Sequence, residues 1–150
     1  MIEPLRLSYE LKCPASHAFM VWTTRIGTWW PKGHSASGDP TSEVFLEPGV
    51  GGRIFERPSV GAEIDWGVVT EWDPPGRLCY TWHIGRDSTQ ATEVALTFVE
   101  LDGHTSRLDV VQTGWDRLGA DGPSWREANS GGWGALIPAF LAAADAHSDS

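Results

Sequence analysis

Positive charge is scarce in this chain. Eleven lysines and arginines, of which only Lys12 and Lys32 are lysines, stand against twenty aspartates and glutamates, a formal net charge of -9. The arginines are scattered singly from Arg6 to Arg126, so no basic stripe exists for a phosphate backbone to lie on, and no nucleic-acid partner is expected. The acidic balance also repels an anionic membrane face, and no apolar run approaches the roughly 20 residues that span a bilayer. Cysteine is as sparse: Cys13 and Cys79 form no C-x-x-C pair and read as two reduced structural thiols. The five histidines, His17, His34, His83, His104 and His147, never fall at the i, i+4 spacing that sets two imidazoles on one helical face, so no metal is expected. No Gly-x-Ser-x-Gly element, phosphate-binding Gly-Lys-Ser/Thr loop or dinucleotide fingerprint is present, and no cofactor is expected. Met1 is not followed by a basic stretch and an apolar core, which makes the cytoplasm the expected location.

Tryptophan is what the chain has in excess, with nine in 150 residues. Each ring must be buried or stacked, and each buried indole N–H wants an acceptor. A chain of this length is expected to form one domain, and a domain of roughly 150 residues has limited room to pack nine such rings among themselves. Part of the set is therefore expected to line a concave apolar surface, the kind of place where aromatic residues bind ligands.

Hydrophobic periodicity places the elements. Leu5, Leu7, Tyr9 and Leu11 alternate with polar residues as a half-buried strand. Pro14 suits the first turn of a short helix from about Ala15 to Trp22, Gly27 closes that region, and Gly33 to Pro40 reads as loop. Glu43–Glu47 and Arg53–Arg57 form a hairpin around Pro48-Gly49-Val50-Gly51-Gly52. Glu63–Trp72 and Leu78–Ile84 form another around Asp73-Pro74-Pro75-Gly76. Thr92–Val99 and the run around Leu108 and Val110 complete an antiparallel sheet. From Gly114 to Gly132 no period holds. Trp133, Leu136, Ile137, Phe140, Leu141 and Ala144 then give one apolar face to a helix from about Gly134 to Ala146, with Pro138 marking either its start or a kink. Ser148, Asp149 and Ser150 read as a frayed tail.

These elements make an α+β sandwich in which a curved antiparallel sheet of about seven strands wraps a long C-terminal helix, with two short helices after the first strand. The sequence resembles the START-like helix-grip superfamily, SRPBCC, in its branch of activators of heat-shock-protein ATPase. The resemblance rests on Trp29-Trp30-Pro31, Gly51-Gly52, Gly67 with Asp73-Pro74-Pro75, Arg77-Leu78 and Trp82, and Gly132-Trp133. The stretch Thr113-Gly114-Trp115-Asp116-Arg117-Leu118-Gly119 is similar to that of the calicheamicin-resistance group, with Trp115 where those proteins carry Phe. That group binds enediyne antibiotics and gives up a backbone glycine hydrogen with chain cleavage. The matching residue is Gly119, whose alternative reading is a turn glycine.

The resemblance implies a single domain, residues 1–150, that binds a hydrophobic, aromatic or polycyclic natural product between sheet and helix. Strand phase and helix face nominate Trp30, Phe55, Trp66, Tyr80, Trp82, Leu96, Phe98, Val110, Trp115, Trp133, Ile137 and Phe140 as the lining, each of them equally readable as plain core. An enzymatic reading follows relatives that cyclise polyketides, with His83, Gln112, Arg53, Glu56 and Asp65 as candidate polar groups. Strand phase sets His83 opposite Trp82, and Arg53 with Glu56 reads equally as a surface ion pair. A third reading, protein interaction, follows the chaperone activators, which use an additional domain that 150 residues cannot hold. Monomer and homodimer are both open, an outward Val69 or Val111 or a sheet edge being what would support a dimer. The preference for Arg over Lys, with much Gly and Ala, points to a GC-rich bacterial genome.

Overall fold

A computed structural model describes residues 2–32, 34–84 and 87–145. β1 (Leu5–Leu11) leads into two short helices, α1 (Ala15–Thr23) and α2 (Ile26–Trp29). Six strands follow: β2 (Glu43–Leu46), β3 (Arg53–Arg57), β4 (Ile64–Asp73), β5 (Arg77–Trp82), β6 (Thr92–Glu100) and β7 (Ser106–Thr113). A 3-10 segment, Trp115–Asp121, turns the chain into the long helix α3 (Gly122–Asp145). The seven strands form one antiparallel sheet in the order β1-β7-β6-β5-β4-β3-β2, the helix-grip arrangement that the sequence predicts. Every step from β2 to β7 is a hairpin between neighbours, so only β1 is placed by a long-range pairing, Leu5 opposite Gln112 through Leu11 opposite Ser106.

The inward faces of the strands and the apolar stripe of α3 enclose one core. Leu78, Leu96, Leu108 and Val110 carry it across the middle strands, and Phe140 from α3 meets Trp22 and Trp29 edge-on, at 4.8 and 5.3 Å between ring centroids. Such tilted and T-shaped pairs match the ring quadrupoles and add to the gain from buried area. Among the described residues, indole N–H groups find acceptors in Val21 O for Trp29, His34 O for Trp30, Glu56 for Trp66, and Gln112 O and Oε1 for Trp115 and Trp133.

Three local expectations are corrected. The C-terminal helix starts at Gly122, twelve residues before the predicted Gly134, and passes through Pro138 rather than beginning there. Four glycines and a proline depress helix propensity across 122–134, yet packing overrides it. A Cβ at Gly122 would lie 2.6 Å from Trp115 O, and Pro123 occupies the first turn, where its missing N–H is no loss. Gly27 does not close the helical region but sits inside α2, where a Cβ would come 2.8 Å from Val44 O. Val69, expected to face outward, is 1% exposed. β4 shifts register twice, between its pairings at Ile54/Phe55 and again between Val69 and Glu71, and each extra residue reverses the alternation. Trp66 and Val69 are therefore both buried, and Trp72 packs against the same core, despite their spacing of three. Among the described residues no helix is long and apolar enough to cross a membrane. Ala146, His147 and the predicted tail lie outside the described residues.

Candidate functional site

One face of α3 sets the site. Trp125, Ala128, Asn129, Gly132, Trp133 and Leu136 follow one another at i, i+3, i+4, i+7, i+8 and i+11, and so share a side of the helix. Opposite the first four stand His34, Ser35 and Ala36 from the loop after α2, and Ile84 just beyond β5, and a cleft of about 300 Å³ lies between them. Its inner end adjoins a small cavity of about 20 Å³ walled by Trp30, Tyr80, Trp82, Trp133 and Leu136, with His34, Asn129 and Gly132 common to both. A third recess, about 10 Å³, continues under Trp125 toward Trp82, His83, Gln90, Trp115 and Leu118. The rings behind the cleft pack on one another. Trp30 lies 5.2 Å from Trp66 and 5.9 Å from Trp82, and Tyr80 5.7 Å from Trp82.

The polar groups around this aromatic wall are few and mostly committed. Gln112 is fully buried; its Nε2 donates to Thr92 Oγ1 at 2.9 Å and to Asn129 Oδ1 at 3.4 Å, and its Oε1 accepts from Trp133. Asn129 Nδ2 donates to Trp125 O, so the amide that faces the cleft is fixed from both ends. His34 stands between cleft and inner cavity, edge-on to Trp30 at 5.6 Å, with a Cβ at Gly132 coming only 3.2 Å from its Cε1. Burial lowers the His34 pKa, which keeps the imidazole neutral near pH 7. Burial pushes the Tyr80 pKa far up, against a smaller opposing pull from the Trp22 N–H, and the phenol stays protonated. Cys13 is a buried free thiol, pushed up to about 11 by burial first and then by the charges of Asp145 and Glu100, and burial likewise raises Cys79. Neither is a thiolate nucleophile at neutral pH.

Glu56 is a buried carboxylate with a full set of donors. Oε1 accepts from Ala36 N at 2.6 Å, Ser37 N at 3.1 Å and Trp66 Nε1 at 3.1 Å, and Oε2 from Ser37 Oγ and Ser42 Oγ, both at 2.7 Å. Burial disfavours its charge more than any single contact favours it, but the donors from Ser42, Ser37, Ala36 and Trp66 together win and hold its pKa below the ordinary value. The loop that forms one wall of the cleft is thus tied to the sheet through one side chain.

The predicted lining divides. Trp30, Tyr80, Trp82 and Trp133 wall the inner cavity and Trp115 the recess below it. Trp66, Leu96, Phe98, Val110, Ile137 and Phe140 are buried in the core and border none of these spaces. Phe55 lies on the outer face of the sheet, stacked on Phe45 at 5.2 Å with the Arg53 guanidinium 4.2 Å above it, because Ile54 and Glu56 on either side of it point inward. Arg53 and Asp65 share that outer face in an ion-pair group with Glu47 and Glu63, away from the cleft, so the predicted Arg53–Glu56 pair does not form. His83 borders the recess together with Trp82. Gly119 is exposed in the turn before α3 with φ 60° and ψ -131°, a backbone that only glycine adopts freely, and lines none of these cavities. The sequence reading missed His34, Ile84, Trp125, Ala128, Asn129 and Gly132. Four of these lie on α3, and their spacing would have shown the face once the helix was extended back through Gly131-Gly132.

A sheet gripping one long helix beside an aromatic-walled cleft defines a helix-grip domain of the SRPBCC superfamily. Within it the chain belongs to the family described as activator of Hsp90 ATPase homolog 1-like protein, whose family model matches residues 12–144. Among solved structures it is similar to an anthrahydroquino-γ-pyrone synthase, Txn09, complexed with SUM, at 32% identity over 82% of this chain and 84% of that one, with a TM-score of 0.61. The self-sacrificing resistance protein CalC from Micromonospora echinospora shares the fold at 24% identity, covering 96% and 95% of the two chains with a TM-score of 0.69. The Aha1 dimer from Colwellia psychrerythraea does so at 15% identity, 96% and 97% coverage and a TM-score of 0.66. Among curated proteins none matches.

Proposed function

We propose that this protein binds a flat, polycyclic aromatic small molecule, a natural product or its precursor, in the cleft between the 34–36 loop, Ile84 and the first half of α3. The carrying observation is the cleft itself, about 300 Å³ in volume, with Trp125 on its wall and Trp30, Tyr80, Trp82 and Trp133 at its inner end. Space of this size suits a ligand of a few fused rings, and stacked rings gain more than an alkyl chain of equal area. Native mass spectrometry of the purified protein with a panel of aromatic polyketides, linear polyketide precursors and a thiol-activated enediyne tests the reading. The expected result is a non-covalent complex with an aromatic polyketide, while no complex with any of them contradicts it.

A second reading is ring closure on a polyketide, favoured by the 32% identity to a synthase. The neutral imidazole of His34 at the inner end of the cleft is the group suited to take a proton from an acidic carbon or hydroxyl. This reading expects a linear precursor to be released lighter by one water, with the reaction lost in His34→Ala. A self-sacrificing reaction, in contrast, expects scission of the chain at Gly119, a residue outside the cleft lining.

A further inference from the structure

The small cavity at the inner end of the cleft is bordered by three polar side chains, His34, Tyr80 and Asn129. Asn129 and Gln112 have their amides committed to one another, to Trp125 O, to Thr92 and to Trp133. What remains is the His34 imidazole at the mouth of the cavity and the Tyr80 hydroxyl in its wall. Tyr80 is only 4% exposed, and the Trp22 indole N–H beside it, on a residue 1% exposed, has no acceptor in full hydrogen-bond geometry and reaches only weakly to the Tyr80 oxygen, which leaves the Tyr80 O–H to donate into the cavity. Trp22 stacks on Trp133, a wall of the cavity, at 6.0 Å between ring centroids, and acts on the Tyr80 hydroxyl from beside it. A buried donor without a full partner is destabilising, and a site that keeps one calls for an explanation, of which a ligand that accepts from it is one.

Size narrows the acceptor. About 20 Å³ admits one polar atom, roughly the room of a single water, and no ring. The adjoining 300 Å³ cleft takes the rings, and the two spaces meet at His34, Asn129 and Gly132. We infer that the inner cavity is a carbonyl subsite: the ligand's rings lie in the cleft, and a ring carbonyl reaches past His34 to accept a hydrogen bond from Tyr80. This rests on the binding reading above and specifies its ligand class, a polycyclic quinone or ring ketone rather than a bare arene. The phenol serves as donor over the whole physiological range because it does not ionise there. A carbonyl bound in this way is polarised, which is the first requirement for condensation at a neighbouring carbon.

Anthraquinone-2-sulfonate and anthracene-2-sulfonate test the subsite, since they share ring system and charge and differ in the two carbonyls. Tryptophan-fluorescence titration of the full chain is expected to show the quinone bound about tenfold more tightly, the effect of one neutral hydrogen bond. In Tyr80→Phe that ratio is expected to fall to about one, and the infrared carbonyl band of the bound quinone, shifted down in the unsubstituted protein, to return toward its free position. Trp72→Phe, at a residue that borders none of the cavities, provides a second variant, in which the quinone preference persists because Tyr80 remains. Equal binding of the two probes to the unsubstituted protein, or a preference unchanged in Tyr80→Phe, overturns the subsite and leaves the cleft reading standing. Binding of neither probe overturns both.

Discussion

Glu56 and Phe55 are neighbours in sequence and lie on opposite faces of the sheet, the one in a cradle of five donors, the other under Arg53. Glu56→Ala leaves those donors without their acceptor, and a loss of about 3 kcal/mol in unfolding free energy is expected in urea titration. The carboxylate also carries a pH signature. Its folded pKa lies below the unfolded one, so the unfolded chain binds more protons between the two values. The stability it contributes is complete above the ordinary glutamate pKa and disappears as pH falls through the lowered one. Glu56→Gln is expected to flatten that part of the acid-unfolding curve, and a profile unchanged from that of the parent protein would contradict the assignment. Gly119→Ala meets a different obstacle, a positive φ combined with ψ -131°. A loss of about 1–3 kcal/mol is expected in thermal unfolding, whatever chemistry the position performs.

At the scale of elements, α3 joins the core to the cleft. Its C-terminal half holds Phe140 and Ala144 against the sheet, and its N-terminal half presents Trp125, Asn129 and Gly132 to the 34–36 loop. Trp125 is half-buried and borders the cleft, so Trp125→Ala is expected to weaken binding of an aromatic ligand about tenfold while the protein still unfolds cooperatively. Urea titration and fluorescence titration of one preparation separate the two effects. The strands were legible because alternation survives in a half-buried sheet: Leu5 to Leu11, and Val94, Leu96 and Phe98, face as the period of two requires. Alternation failed where the chain departs from it. The shifts in β4 brought Val69 to the core, a change of phase with no marker in composition. Residues 122–134 were hidden by their glycines, since their helix is made by packing and not by propensity. The cleft was legible only in its tryptophans for the same reason, and its polar members came from a loop and a helix that no period marks.

At the scale of the whole molecule, the tryptophan excess is divided between two tasks. Trp22 and Trp29 pack on one another and on Phe140, and Trp66 packs on Trp30, giving a domain of this size a dense aromatic core. Trp30, Trp82, Trp125 and Trp133 border the cleft and its inner end. Trp72 packs against Phe19 at 5.1 Å and borders none of these cavities, which makes it an internal control. The most direct test of the account is therefore a titration of the nine tryptophan indole N–H resonances, assigned by single Trp→Phe substitutions, with anthraquinone-2-sulfonate. Saturable shifts at Trp30, Trp82, Trp125 and Trp133 with Trp72 unmoved are the predicted result. Shifts centred on Trp72, or no saturable shift at any indole, would contradict binding in the cleft.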